Sequence, residues 1–134
     1  VVMLSDVDQF KHMSFANYLK LMFLATDALF VSCFDANFLS KNRLKPLNSR
    51  MQFKRQSAAG DNILVRVNCS EINSSCFALL YTFVIEGTAE LVGLGRQTYG
   101  LFNQSTGTPE EIPENIKALL EPISVDECYL LYKY

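Results

Sequence analysis

No glycine or proline interrupts the chain between Phe15 and Phe34, and this run, FANYLKLMFLATDALFVSCF, is rich in Leu, Ala, Met and Phe. Such a stretch predicts one long helix, and Ser14 stands where an N-cap side chain takes up a free amide. Asn17, Lys20 and Asp27 fall at i, i+3 and i+10, on one narrow stripe of a 3.6-residue helix; nearly everything else is apolar. A helix of that kind either crosses a membrane or is wrapped by the rest of its own domain. At about 20 residues it has the minimum length for a span, but Lys20 and Asp27 would then sit in hydrocarbon at roughly 2.5–3.5 kcal/mol each. The remaining chain carries enough strand-like sequence to cover it, so a buried helix and no membrane span are expected.

The whole chain, 1–134, is read as a single domain, long enough to bury a core without staples. Its formal charge of -2 gives no reason to expect nucleic acid or an acidic membrane as partner. Cys33, Cys69, Cys76 and Cys128 form no CxxC pair, and the single histidine, His12, leaves no zinc-type cluster, so no metal or cofactor is expected. Reduced thiols fit a cytoplasmic protein. Three glycosylation triplets, at Asn68, Asn73 and Asn103, matter only in a secreted chain, and no signal peptide is visible. The chain begins at Val1 rather than Met, so a few preceding residues, with any targeting segment, are expected to be missing.

Taken in order, Val1 to Leu4 reads as the end of a first strand, feeding an acidic turn from Ser5 to Met13. The helix is expected to stop near Phe34 to Asn37, where Asp35 and Asn37 break it. Leu39 to Pro46 reads as a basic connection, and Asn48 to Arg55 as a half-exposed strand. After the turn Ser57 to Asp61, Ile63, Val65, Val67 and Cys69 alternate with more polar neighbours, a period-two strand. Glu71 to Ser75 reads as a hairpin loop, and Cys76 to Ile85 as an apolar strand covered on both faces. Ala89 to Phe102 is a last long strand in which Gly93, Gly95 and Gly100 mark bends or close approach. Pro109 to Leu120 predicts a short helix with Glu110 and Glu111 in its first turn. The aromatic tail from Ile123 to Tyr134 has no evident place. One helix among several hairpin-linked strands predicts an α+β fold, with an antiparallel sheet wrapped around a long central helix.

Asp6-Val7-Asp8, then His12-Met13, then Ala16-Asn17-Tyr18-Leu19 resembles the D-x-D-x-x-x-H-x-x-x-A-x-Y-L signature of hotdog-fold thioesterases of the 4-hydroxybenzoyl-CoA thioesterase type. Phe53 with Gly60-Asp61, and Ile112-Pro113 before a terminal helix, are similar to later parts of that family, so the resemblance covers about Val1 to Leu120. It implies a hotdog fold, a homodimer whose sheets join with active sites between subunits, or a homotetramer, and an acyl-CoA or acyl-carrier-protein thioester as substrate. It also implies roles. Asp8 matches the carboxylate that attacks the thioester or activates water, the Phe15 amide matches the donor that polarises the carbonyl, and His12 matches a histidine that orients acid or thioester. Tyr18 matches a structural aromatic.

Thioester hydrolysis needs a nucleophile or base and donors aimed at the developing oxyanion, and a helix start supplies the donors. Taken alone, Asp8 could equally cap a turn, and His12 could be a structural hydrogen-bonding residue. Lys11 stands where many members of the family have glycine, and Ser14 where asparagine is common. Both departures favour the alternative of a non-catalytic acyl-binding or scaffold dimer; a hotdog dehydratase is a third reading, against which the position of Asp8 argues. Lys54, Arg55 and Arg96 suit either the phosphates of coenzyme A or a carrier-protein arm, or a solvated charged edge. Phe15, Leu19, Met22 and Phe23 suit either an acyl lining or the core.

Overall fold

The computed structural model describes residues 1, 15–124 and 130–133, with side chains for 1 and 16–122. The strand expected over residues 1–4 and the acidic turn over 5–13 fall, but for residue 1, outside the described residues. Helix α1 (Phe15–Cys33) forms where the glycine- and proline-free run predicts it. It is followed by α2 (Ala36–Lys41), then strands β1 (Asn42–Phe53), β2 (Ile63–Ser70), β3 (Cys76–Ile85) and β4 (Leu91–Asn103), helix α3 (Glu114–Leu120), a 3-10 turn (Glu121–Ser124) and β5 (Leu130–Lys133). The strands make one antiparallel sheet in the order β1-β4-β3-β2-β5.

The sheet's inner face meets α1. Ile63, Val65, Val67 and Cys69, the inward set of β2, are fully buried, as the alternation predicts. Phe77, Leu79, Tyr81 and Phe83 from β3 lie against Tyr18, Leu21, Met22, Ala25, Leu29 and Phe30 from α1 in one core. On the other face of β3, Ala78 and Val84 are buried but Leu80 and Thr82 between them are half-buried, so the expected cover on that face is partial. Gly95 is needed for close approach, because a Cβ there would lie 3.0 Å from both Cε and Sδ of Met22. That missing side chain sets how deeply α1 sits on the sheet.

Three expectations are corrected. The basic segment read as a connection is helix α2 followed by the first residues of β1. Asp35 ends α1 and caps α2, its carboxylate accepting from the Phe38 amide at 2.7 Å. β1 tolerates Pro46 because it is a sheet edge, and a register shift between Pro46 and Asn48 absorbs the interruption. The last helix starts at Glu114 rather than Pro109, since Pro113 disfavours helical backbone at Ile112. Glu110 precedes that helix; its amide donates to the Leu101 carbonyl, and its carboxylate accepts from Asn103 Nδ2 at 3.0 Å. The tail, for which the sequence offers no place, supplies β5 along the outer edge of β2.

Candidate active site

α1 begins at Phe15, the residue whose amide the sequence singles out. The first four amides of any α-helix have no intrahelical acceptor and carry the positive end of its dipole. No acidic side chain occupies the first turn of α1 to take them up. Asp6, Asp8, Lys11, His12 and Ser14 lie outside the described residues, as does the side chain of Phe15.

Tyr18, one turn into α1, shows how this end is held. Its ring packs edge-on against Phe53 and Phe83, with centroids 5.1 and 5.4 Å away. Its hydroxyl shares a 2.6 Å hydrogen bond with Ser57 Oγ, and both residues are buried. Burial raises the phenol above its usual range, the Ser57 bond opposes that, and the Asp61 carboxylate adds to it. Asp61 also folds the loop, its carboxylate accepting from the Ala58 amide at 2.9 Å beside Gly60 at φ +95°. Tyr18 is therefore the structural aromatic that the resemblance implies, and Asp61 has a structural turn role.

The three candidate cations do not form one cluster. Lys54 and Arg55 enter the loop that Tyr18 pins, so they stand at the end of the molecule where α1 starts; Arg55 pairs with Glu90. Arg96 lies farther along β4, directly opposite Arg50, and pairs with Glu71. That bond holds the Glu71 carboxyl below its usual range. The four candidate lining residues also divide: Met22 is fully buried on Gly95, Leu19 is half-buried, and Phe23 turns outward.

A polar cluster that the sequence did not suggest occupies the middle of α1. Gln97 Oε1 accepts from the hydroxyls of Tyr81 and Tyr99 at 2.9 and 2.6 Å, and its amide donates to Ser49 Oγ at 3.0 Å. Thr26 bonds to Tyr81 and donates to the Met22 carbonyl. Burial raises both phenols above their usual range. The one available signal was Gln97 itself, an amide on the inward positions of β4. Cys69 is an inert thiol, pushed up to about 12 by burial. Among the described residues no group of three or more His, Cys, Asp or Glu is placed to hold a metal ion, and no helix is long and apolar enough to cross a membrane.

An antiparallel sheet wrapped on one long helix defines the hotdog class. The chain matches the thioesterase-like superfamily over residues 2–120, and it belongs to that family. No curated protein matches it. Among solved structures, a 1,4-dihydroxy-2-naphthoyl-CoA thioesterase from Synechocystis is 16% identical, with TM-score 0.79, and the match covers 92% of this chain and 93% of that one. The dynemicin thioesterase is 19% identical, with TM-score 0.82 and coverage of 93% and 94%. A Staphylococcus aureus protein solved with CoA is 17% identical, with TM-score 0.80 and coverage of 92% and 79%. At these identities the structural likeness speaks for the fold; thioester hydrolysis is the activity that family membership carries.

Proposed function

We propose that this chain, acting as a single domain, hydrolyses acyl-CoA thioesters at the start of α1. Asp8 attacks the thioester carbonyl, or draws a proton from the water that does. The Phe15 amide donates to the oxyanion as it forms, and His12 orients the acid or the thioester. Collapse of the tetrahedral intermediate expels the thiolate, which leaves as the thiol, and water releases the carboxylic acid from any acyl-enzyme. A carboxylate beside the positive end of a helix stays ionised at neutral pH, the state that either role requires. The observation that carries this reading is the match to the thioesterase-like superfamily over residues 2–120, a span that includes Asp8, His12 and Phe15.

Coenzyme A is the donor that Lys54 suits, as a cation at the same end; the solved CoA complex of the Staphylococcus aureus relative is in keeping with that choice. The described sheet has two edges, β1 with 12 residues and β5 with four, and β1 is the longer. Two copies would join their sheets there, since an unpaired edge of 12 residues is a template for another strand. Lys11 and Ser14 favour one second reading, an acyl-CoA-binding dimer without turnover. Thiol release from short, long and aromatic acyl-CoAs, measured for wild type and Asp8→Asn, separates the two. Loss of hydrolysis in the variant supports the thioesterase, whereas tight acyl-CoA binding with no release in either protein supports the second.

A further inference from the structure

Arg50 of β1 and Arg96 of β4 stand directly opposite one another in the sheet. Like charges in that position destabilise a strand pair, so the arrangement calls for compensating negative charge. Arg96 has some: both of its terminal nitrogens donate to the Glu71 carboxylate. Arg50 is exposed, and no ion pair among the described residues uses it. Two arginines and one acid leave a single net positive charge, and it borders a groove of about 570 Å³. Leu94 and Arg96 flank Gly95, where a Cβ would meet Met22 of α1, so the groove lies on the face of the sheet turned away from that helix. One row across it runs Arg50, Arg96, Leu80 and Asn68; the next runs Gln52, Leu94 and Thr82. Leu80 and Leu94 are therefore diagonal neighbours, an apolar floor between polar flanks, with Leu94 38% exposed. From β1 to β2 the first row spans about 14 Å at roughly 4.8 Å per strand spacing.

We propose that this groove binds a small monocarboxylate with an apolar tail, at a site separate from the proposed active end. The carboxylate accepts from the Arg50 guanidinium with Arg96 beside it, and the tail lies over Leu94 and Leu80 toward Asn68. An apolar floor with a few convergent polar groups is the usual make-up of a small-molecule site, and the volume falls within the range of such sites. The single net charge suits one carboxylate rather than the several phosphates of coenzyme A. A bound carboxylate also relieves the repulsion between the two arginines, which gives the directly opposed pair a purpose that the sheet itself does not supply.

Isothermal titration calorimetry with sodium octanoate, on wild type, Arg50→Gln and Leu94→Ser, tests the assignment, with 1-octanol as the uncharged probe. Wild type is expected to bind octanoate, and Arg50→Gln to raise the dissociation constant by roughly tenfold or more, the scale of a lost charge-assisted contact. Leu94→Ser should raise it by about threefold or more through lost apolar contact, and octanol should bind at least about tenfold more weakly than octanoate. Thermal melting gives a second reading. Without ligand, Arg50→Gln should melt at or above wild type, since it removes a like-charge contact; octanoate should raise the melting temperature of wild type and not of the variant. No octanoate binding, binding indifferent to both substitutions, octanol bound as tightly as octanoate, or a variant that melts below wild type without ligand would overturn the proposal. Binding of coenzyme A that falls with Arg50→Gln would overturn it too, by making the groove part of the thioester site. Octanoate binding is read whether or not thioesters are hydrolysed, and Asp8→Asn should leave it unchanged, so failure here is distinct from failure of the proposed reaction.

Discussion

Two of the polar contacts that hold α1 to the rest of the molecule among the described residues differ in kind. In its middle, Thr26 joins a sealed cluster in which Tyr81, Tyr99 and Gln97 satisfy one another beneath the sheet. Near its start, one bond from Tyr18 to Ser57 ties it to a loop rather than a strand. The middle is an anchor that cannot be altered without stranding buried polar groups. The start is a joint, where a loop can be adjusted beside the free amides while the core stays intact. A fold arranged this way places the proposed reactive end beside a loop rather than inside the core.

The largest effect should come from breaking the anchor. Gln97→Ala removes the acceptor that two buried hydroxyls share, leaving Tyr81 only its bond to Thr26, so at about 1–3 kcal/mol per lost partner a loss of roughly 2–4 kcal/mol is expected in chemical denaturation. A cost near that of an ordinary surface substitution would show that the cluster does not hold the helix. At the joint, Tyr18→Phe keeps the ring packing and removes one hydrogen bond, an expected cost of about 1 kcal/mol. Its effect on turnover should exceed what that figure alone implies, and equal proportional effects on turnover and stability would erase the distinction between the two places.

Alkali sharpens the same comparison. Burial holds the Tyr81 and Tyr99 phenols above 10.0, their usual value, so the folded protein retains protons that the unfolded chain gives up. Their contribution to stability is complete below pH 10.0 and is lost as pH rises through the folded values. Tyr99→Phe should therefore make the alkaline limb of a pH–stability curve shallower. The smallest effect belongs to neither place. The exposed Glu71 carboxyl is held below its usual 4.5 by Arg96, so its contribution is present above that value and lost as pH falls through the folded one. Arg96→Gln should slightly flatten the acid limb and leave turnover unchanged; a loss of turnover would place Arg96 at the site instead.

Much of this arrangement is legible in the sequence where one physical signal dominates. The absence of Gly and Pro marks α1, period-two alternation marks β2, and a continuous apolar run marks β3, because burial of one face or both leaves a pattern. β1 is missed over its first residues since an edge strand has no obligation to alternate, and Lys45-Pro46 looks like a loop until a bulge accommodates it. The start of α3 is misread because Glu110 suits a first turn by charge but bonds to Asn103 instead. Gln97 is the one signal of the buried cluster but names no partner, since a buried amide is stable only through groups that lie on other elements. The candidate residues Asp8, His12 and Phe15 rest on the family resemblance, and what the structure describes beside them is the Tyr18–Ser57 joint.

The proposed chemistry takes place where α1 begins, with Asp8 as the carboxylate and the Phe15 amide as the donor. Single-turnover thiol release by Asp8→Asn on the best acyl-CoA of the panel, alongside thermal melting of the same sample, tests it most directly. A fall of roughly a hundredfold or more in the chemical step is expected, the usual scale for a lost nucleophile or base, with melting unchanged. Wild-type release by a folded Asp8→Asn protein would contradict it and move the reaction away from the start of α1.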